Sequence, residues 1–236
     1  MSFNDGAFLM VEYTAWDLTD NNKVLYTNNA DKAKELNIYD EKKRYQPDLM
    51  IVGSPLVLPG LNKALREASL NTTVKIELEP KDAFGERSEQ LVFVMPLSEF
   101  KKQGMDPYVG MRIRLDNGVI AIVKSINSGR VVLDANPELA GHKLLYEIKV
   151  VKELTDLAEK IENIFKLFNL YPDSVQKDSN KIVVSFSKNQ KKDHDYFDKK
   201  NAALSLVFNT IKDLKESIEI REEFDKQSFE SSIKES

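Results

Sequence analysis

The stretch Val57-Leu58-Pro59-Gly60-Leu61, followed by Asn62-Lys63-Ala64-Leu65, decides how the rest of the chain is interpreted. An apolar run meets Pro-Gly and then continues with apolar residues three and four apart, which predicts a strand end turning into a short helix. One face of that helix would carry Leu61, Ala64, Leu65 and Ala68.

Strand-like segments lie on both sides of this helix. Residues 8–16 are rich in aromatic and β-favouring residues, and Asp20-Asn21-Asn22 leads from them into Lys23-Val24-Leu25-Tyr26, which predicts a hairpin. After the helix, residues 72–80 alternate between polar and apolar side chains, as a half-exposed antiparallel strand does. That strand delivers the chain to Asp82-Ala83-Phe84-Gly85.

Residues 86–141 form a compact β-rich segment with turn signals of its own. Asp116-Asn117-Gly118, between two alternating runs, is a strong hairpin signal. The next run, residues 144–151, has the character of a closing strand for the first module. The segment is therefore expected to be inserted into that module, although its pattern alone also fits a free-standing domain.

Taken together, these motifs resemble the FKBP-type peptidyl-prolyl isomerases, in which V-(I/L)-x-G-(W/L) opens the central helix and D-x-(Y/F)-G caps the pocket. The chain is also similar to the SlyD-like branch of that family, whose inserted chaperone subdomain ends in N-H-x-L-A-G. Asn136-Pro137-Glu138-Leu139-Ala140-Gly141 matches that ending, except that proline replaces the histidine. Pro96-Leu97-Ser98-Glu99-Phe100 and Ile126-Asn127-Ser128-Gly129-Arg130 look like the archaeal long-type members, which carry an extra C-terminal domain. The resemblance covers residues 8–151.

The fold class that the resemblance implies is α+β. It consists of an FKBP-like antiparallel half-barrel around a short helix, an inserted β-rich chaperone subdomain and a C-terminal α/β sandwich-like domain. The expected boundaries are residues 1–85 plus 142–153 for the isomerase domain, 86–141 for the insert and 154–224 for the C-terminal domain. Apolar periodicity in this last domain predicts an α-β-α-β order. Residues 225–236 are polar enough to be a disordered tail.

The activity implied is peptidyl-prolyl cis-trans isomerisation in an apolar cleft, by a protein that also acts as a folding chaperone. By the resemblance to the family, the residues expected to be catalytic are Tyr13, Tyr26, Leu61, Phe84 and Tyr146. Those carried over as substrate-binding are Thr27, Val57 and Leu58, with the backbone N–H groups of Val57 and Leu58 facing bound peptide. For any one of these residues, a place in an ordinary core is the alternative explanation.

The insert supplies a second set of expected contacts. Apolar and adaptable side chains suit clients of varied sequence, and methionine is the most adaptable of them. The side chains expected to hold apolar client segments are Phe93, Met95 and Met111. The alternative is that they only build the core of a small subdomain.

Two positions depart from the family pattern. Many members have an aspartate after the aromatic residue of the second strand, where it accepts a hydrogen bond from the first-strand tyrosine, and this chain has Thr27. The cap tyrosine that donates to ligand in many relatives is Phe84. One hydrogen bond is worth about 0.5–1.5 kcal/mol, so a loss of up to roughly tenfold in ligand affinity is expected.

The amino-acid composition argues against several other classes of function. The net charge of −4 is spread along the chain, which disfavours nucleic-acid binding because phosphates require a basic patch. With no cysteine and two histidines, no metal site and no cofactor are expected, and His142 and His194 are assigned to the surface. No apolar run is long enough to span a membrane, and the first residues lack a signal-peptide pattern, so a cytoplasmic location is expected.

The expected partners are unfolded or proline-containing polypeptides, with a homodimer through the C-terminal domain as a further expectation. Two function classes remain open. The first is an isomerase whose insert recruits unfolded chains, and the second is a holdase-type chaperone or assembly module on an FKBP scaffold with little turnover.

Overall fold

The computed structural model describes residues 2–115, 118–187 and 195–223. Within those ranges there are twelve strands and five α-helices. The strands are β1 Phe8–Asp17, β2 Lys23–Thr27, β3 Asp48–Ile51, β4 Thr73–Leu78, β5 Val92–Pro96, β6 Arg112–Arg114, β7 Ile120–Asn127, β8 Arg130–Asp134, β9 Leu144–Leu154, β10 Ser174–Asp178, β11 Lys181–Phe186 and β12 Ser217–Glu222. The helices are α1 Ala30–Glu35, α2 Pro59–Glu67, α3 Leu97–Lys102, α4 Leu157–Leu167 and α5 Tyr196–Thr210.

The chain divides into two compact units. The first contains residues up to Trp16, Val24–Ile76 and the chain from Tyr146 onward, and the second contains Asp17–Lys23 and Glu77–Leu145. A five-stranded sheet follows the order β2-β1-β9-β4, with β3 antiparallel to β1 at its side. The mixed α and β composition and the antiparallel pairing are compatible with an FKBP-like fold, as the sequence predicted.

Helix α2 has the buried face that the sequence predicts. Pro59 occupies the first turn, where its missing N–H costs nothing, and the helix buries Leu61, Ala64 and Leu65. Ala68, immediately after the helix, is also buried. The apolar periodicity of this short segment was therefore sufficient to orient it.

The turn before α2 is held by a buried amide. The Asn62 Oδ1 atom accepts from the Gly53 N–H at 2.7 Å, and Asn62 Nδ2 donates to the carbonyls of Ser54 and Val57 at 3.1 Å each. Gly53 has φ +80°, and a Cβ there would meet the Asp5 carboxyl carbon at 3.0 Å. The conformation of the turn before α2 thus depends on a glycine at position 53 and on the hydrogen bonds of the Asn62 side chain.

The C-terminal segment shares a hydrophobic core with the first strands. Phe8, Leu49 and Ile51 of β1 and β3 belong to the same buried cluster as Phe165 of α4 and Phe186 of β11. Strand β11 pairs antiparallel with β10 and parallel with β12. Helix α4 therefore packs directly against β3 of the five-stranded sheet.

The order of the C-terminal elements differs from the α-β-α-β expectation. The structure has an additional strand, β10, so the order is α-β-β-α-β. Its sequence, Ser174-Val175-Gln176-Lys177-Asp178, is mostly polar and exposed, because β10 pairs with one neighbour at the sheet edge. A strand of that composition carries no hydrophobic signal to reveal it.

The second unit contains a four-stranded sheet in the order β5-β8-β7-β6. Its core consists of Phe100 of α3 with buried residues of β6, β7 and β8. The segment from Glu77 to Leu145 leaves from β4 and returns in β9, which are neighbours in the five-stranded sheet. The exact domain boundaries given above stay a prediction.

Several sequence-based expectations fall outside the described residues. These are the tail at 225–236, His194 and two residues of the turn at Asp116-Asn117-Gly118. In the ranges that are described, no helix has both the length and the apolarity needed to cross a bilayer.

His142 is partly exposed, and its ring forms a hydrogen bond with the buried carboxylate of Asp17, which the sequence did not indicate. Its Nδ1 lies 2.6 Å from the Oδ2 of Asp17, and that carboxylate also accepts from the amides of Thr19 at 2.9 Å and Asp20 at 3.2 Å. Burial alone would raise the pKa of Asp17, but the hydrogen bonds from His142 and the two amides outweigh it and lower the pKa. The folded protein therefore stabilises the ionised carboxylate.

Replacing Asp17 with asparagine should reduce stability in a pH-dependent way. A carboxyl group with a lowered pKa stabilises the fold above its unfolded pKa, and that stabilisation is lost as the pH falls through its folded pKa. Asp17→Asn should lower the free energy of unfolding by about 1–2 kcal/mol at pH 7, and the deficit should shrink in acid. Urea unfolding of wild type and variant, from pH 7 down into acid, measures the difference in the free energy of unfolding. The control is Asp20→Asn, since Asp20 is half exposed and 3.8 Å from Lys23; an equal effect of both variants would contradict the assignment.

Candidate functional site

Three tyrosines from neighbouring strands form an aromatic cluster. The ring centroids of Tyr13 on β1 and Tyr26 on β2 are 5.5 Å apart, and those of Tyr13 and Tyr146 on β9 are 6.1 Å apart. The strand order β2-β1-β9 places Tyr13 between the other two. Tyr146 is buried, whereas Tyr26 is 37% exposed, so the cluster runs from the interior to the surface.

The residues at the start of α2 are mostly buried. Val57 and Leu61 have less than a tenth of their surface exposed, and Leu58 is the partly buried N-cap of the helix. The Val57 N–H donates to the Ser54 carbonyl at 3.1 Å. This differs from the expectation that the Val57 N–H faces bound peptide, because the turn before the helix already uses that donor.

Phe84 belongs to the other compact unit. It follows the short 3₁₀ turn Pro80–Asp82 and is 38% exposed. The N–H of Gly85 donates to the Pro80 carbonyl at 2.8 Å and closes the turn. The structure thus presents Phe84 at a surface, on a loop fixed by its own backbone.

The family pattern predicted that position 27 accepts a hydrogen bond from the Tyr13 hydroxyl. Thr27 makes other hydrogen bonds instead. Its side chain is buried, and its hydroxyl lies 2.9 Å from the Thr14 hydroxyl and donates to the Tyr13 carbonyl at 3.1 Å. The acceptor for the Tyr13 hydroxyl is the carboxylate of Asp48, at the start of β3. The carboxylate that supports the first-strand tyrosine therefore comes from a different strand.

Asn28 holds this arrangement together. Its Oδ1 accepts from the Tyr13 N–H at 2.7 Å, and its Nδ2 donates to the Val11 carbonyl at 2.9 Å and to the Asp48 Oδ2 at 3.2 Å. Asn28 is 2% exposed, and its bond to the Val11 carbonyl is fully buried. Nothing in the sequence around Asn28 and Asp48 identified them, because the contacts join residues twenty positions apart.

The electrostatics keep the tyrosines protonated. Burial is the largest cause raising the pKa of the Tyr13 hydroxyl far above its usual range, with the charge of Asp48 adding to it. Burial also raises the pKa of Tyr26 and Tyr146. The pKa of Asp48 is raised by burial, against the hydrogen bonds of Asn28 and Tyr13, which favour the ionised form.

The arrangement suits binding and orientation better than proton transfer. It offers aromatic walls and neutral hydroxyl donors, and its one carboxylate already accepts two hydrogen bonds. Among the described residues no group of three or more acidic or histidine side chains could hold a metal ion. A reaction that needs an apolar wall and a few fixed donors fits this site.

The predicted client-binding residues of the insert pack against its core. Phe93, Met95 and Met111 are partly buried there, next to Ile113 and Leu133. The alternative weighed from the sequence, that they build the subdomain, accounts for this placement. Their role in binding clients stays a prediction.

The opposite face of the same sheet is more open, and on it apolar side chains lie beside charged ones such as Arg114, which pairs with Ile120. Residues alternate along β5, so Val94 points away from Phe93 and Met95, and Val94 is 56% exposed. Ile120 at the start of β7 is also 56% exposed, beside the buried Ala121. The sequence analysis did not single out this second face, because its residues are ordinary β-formers.

Comparison with known proteins gives one family-model match and several relatives. The model for the FKBP26 IF domain matches residues 93–139. The chain is 31% identical over 145 residues to the short-type peptidyl-prolyl cis-trans isomerase of Methanocaldococcus jannaschii, covering 61% of this chain and 90% of that protein. It is 30% identical over 128 residues to the FKBP-type peptidyl-prolyl cis-trans isomerase SlyD of Pasteurella multocida, covering 52% and 63% respectively. The SlyD protein of Haemophilus influenzae is likewise 30% identical over 128 residues, covering 52% of this chain and 66% of that protein.

Removing the Tyr13 hydroxyl should raise the pKa of Asp48. Tyr13→Phe deletes a donor that stabilises the ionised carboxylate, so Asp48 should hold its proton to higher pH. The measurement is a ¹³C NMR pH titration of the aspartate side-chain carboxyl groups. Tyr26→Phe is the matched control, because it removes a hydroxyl from the same cluster that makes no hydrogen bond to Asp48. An Asp48 midpoint that stays the same in both variants would show that Tyr13 does not donate to it.

Proposed function

The chain belongs to the FKBP-type peptidyl-prolyl cis-trans isomerase family, and we propose that it catalyses rotation about X-Pro bonds in a cleft walled by the tyrosine cluster. The observation that supports this most is the contact of Tyr13 with both Tyr26 and Tyr146 on adjacent strands. Leu61 and Val57 at the start of α2 contribute the aliphatic part of the cleft in this proposal. Its substrates are unfolded or flexible polypeptides that contain proline.

The reaction explains why the site is apolar. Rotation about the X-Pro bond meets a barrier of about 20 kcal/mol because amide resonance must be broken, and no covalent bond need form. The twisted amide has less charge separation than the planar amide. A water-poor aromatic cleft therefore stabilises the twisted state relative to the planar one.

The hydroxyl groups have separate roles in this proposal. Tyr13 donates to Asp48, which keeps its ring in place as a wall. Tyr26 and Tyr146 remain protonated, since burial raises the pKa of each, and they are the candidates to donate to a substrate carbonyl. Because no group changes its protonation state, catalytic turnover should depend little on pH near neutrality.

Turnover is proposed to be modest because Phe84 lacks a hydroxyl. The family's cap tyrosine donates to ligand, and Phe84 keeps the ring without that donor. The missing bond lowers affinity for substrates and macrolide inhibitors by up to roughly tenfold, the equivalent of one hydrogen bond. Thr27 does not add to the deficit, because Asp48 supplies the acceptor for Tyr13.

Phe84→Tyr should restore the donor at the cap. Wild-type protein should isomerise a proline tetrapeptide, and the variant should bind a macrolide FKBP ligand up to about tenfold more tightly. Peptide exchange NMR measures turnover, and calorimetry measures ligand affinity. Since Phe84 is exposed, the fold should tolerate the hydroxyl. Absence of tetrapeptide turnover in the wild type would contradict the isomerase assignment, and an unchanged affinity in Phe84→Tyr would remove that residue from the cleft.

The insert is proposed to recruit unfolded chains through the open face of its sheet. Val94 and Ile120 expose more than half of their surfaces there, with Val132 of β8 paired to Val94. Exposed apolar side chains on a sheet face can contact extended segments of many sequences. Capture by a segment of the same chain as the isomerase domain raises the local concentration of prolines.

The second candidate is a holdase-type chaperone with little isomerase turnover, and the same exposed face is the observation that favours it. The two candidates differ in one measurable respect. An isomerase turns over a short peptide without the insert face, whereas a holdase acts only on chains long enough to bind that face.

Substitutions on the open face should separate client capture from isomerisation. The double variant Val94→Thr and Ile120→Thr should reduce catalysis of a proline-limited refolding reaction by several fold, because it removes apolar area from the face. Tetrapeptide turnover should stay at the wild-type level. Leu70→Thr is the control, since Leu70 is 50% exposed and lies outside the insert. Equal losses in both assays, or a similar loss in Leu70→Thr, would count against this division of labour.

A further inference from the structure

A groove of about 270 Å³ opens on the surface beside the tyrosine cluster. One wall is formed by Tyr26, by the loop that contains Arg44, and by Asp48 and Leu49 of β3. The other wall is formed by the end of α4 and the loop after it, including Lys166 and Tyr171. The groove thus lies where the C-terminal segment meets the strands that carry the proposed isomerase site.

The groove is continuous with the proposed isomerase site. Tyr26 lines the groove and also contacts Tyr13, and Asp48 lines the groove while it accepts from the Tyr13 hydroxyl. A peptide whose proline lies against the tyrosines can therefore continue along the groove.

The walls are held in place by the shared core. Leu49 lines the groove and belongs to the buried cluster that includes Phe165 of α4. The loop at 40–45 is also braced, because the Tyr45 hydroxyl accepts from the Asp40 N–H at 3.0 Å and the Tyr45 ring stacks on Tyr39. The groove exists before a ligand arrives, which reduces the entropic cost of binding.

The lining has the character of a peptide subsite. Tyr26 and Tyr171 each expose more than a third of their surface, and the amides of Asn163 and Asn169 provide polar groups. Aromatic walls with a few amides suit an extended backbone and its side chains.

The charges in the groove favour an acidic side chain. Two cations and one carboxylate line it among the described residues. Asp48, the carboxylate, accepts from Asn28 and Tyr13, and Lys166 pairs with Glu162 at 2.6 Å. The Arg44 guanidinium lies 5.0 Å from the Tyr171 ring centroid and has no carboxylate partner in the ranges 2–115, 118–187 and 195–223. It is the cation left to receive an anionic group.

We propose that this groove binds the part of the client polypeptide that flanks the isomerised proline, and that it prefers a segment with an acidic side chain paired to Arg44. The inference rests on the proposed isomerase function and names its substrate class. It also gives the C-terminal segment a role, since α4 and the loop after it form one wall of the subsite.

The test uses the 236-residue chain and a set of extended peptides. A proline tetrapeptide is lengthened by three residues on its N-terminal or its C-terminal side, with either glutamates or lysines in the extension. The wild type should show a kcat/KM ratio of about threefold to tenfold in favour of the acidic peptide on one side, and 0.5 M salt should reduce it. Arg44→Glu should bring that ratio to one or below.

The matched control is Lys42→Glu. Lys42 is an exposed cation of the same loop that does not line the groove, so its reversal changes the net charge by the same amount. The acidic-to-basic ratio should persist in this variant. An equal fall in both variants would show a general charge effect and overturn the subsite, as would a wild-type ratio of one on both sides.

Fluorescence anisotropy of the labelled extended peptides supplies a readout that does not need turnover. If the wild type fails to isomerise the unextended tetrapeptide, the isomerase proposal falls, and peptide affinity still decides the groove. Selective binding of the acidic peptide that Arg44→Glu abolishes would support the subsite. Binding that this variant leaves unchanged would overturn it.

Discussion

The side-chain amide of Asn28 is the interaction on which the architecture of the site depends. It accepts from the Tyr13 N–H and donates to the Val11 carbonyl and the Asp48 carboxylate, and Asn28 itself is buried. Val11 pairs with Asp48 across β1 and β3, so the amide joins these strands at the point where the tyrosine cluster begins. A buried polar group left unpaired costs about 1–3 kcal/mol, and no apolar residue could replace three hydrogen bonds. This one side chain therefore sets the backbone position of Tyr13 and the direction of the carboxylate that holds its hydroxyl.

From Asp48 the same strand leads into the C-terminal core. Leu49 and Ile51, one and three positions along β3, are buried with Phe165 of α4. Strand β3 thus supplies a polar residue to the tyrosine cluster and apolar residues to the C-terminal packing. Successive side chains of a strand point to opposite faces of the sheet, so Asp48 lies on one face and Leu49 and Ile51 lie on the other. The partial burial of Asp48 beside the buried Leu49 is consistent with that geometry. The C-terminal segment is consequently a structural neighbour of the site rather than a distant appendage.

A site of this kind works by placement and not by titration. The tyrosine hydroxyls keep their protons because burial raises the pKa of each, and the nearby carboxylate already accepts hydrogen bonds. Rotation about an X-Pro bond needs no proton transfer, so neutral donors and aromatic walls are sufficient. The position of the supporting carboxylate can then vary between strands, as Thr27 and Asp48 show here, provided that the tyrosine ring stays oriented.

The sequence by itself determined the local elements and the family. The turn into α2, its buried face at Leu61 and Leu65 and the interrupted strand pattern around the insert were all readable, because they rest on periodicity over a few residues. The motifs Val57–Leu61 and Asp82–Gly85 identified the isomerase family that the relatives then established. Only the tertiary structure showed that Asp48, and not Thr27, accepts the hydrogen bond of the Tyr13 hydroxyl. It also showed that Val94 and Ile120 lie on the open face of the insert, and that Arg44 and Tyr171 line one groove. The physical reason is that these contacts join residues far apart in the chain, with side chains whose types carry no local signal, so their partners are set by strand order and packing alone.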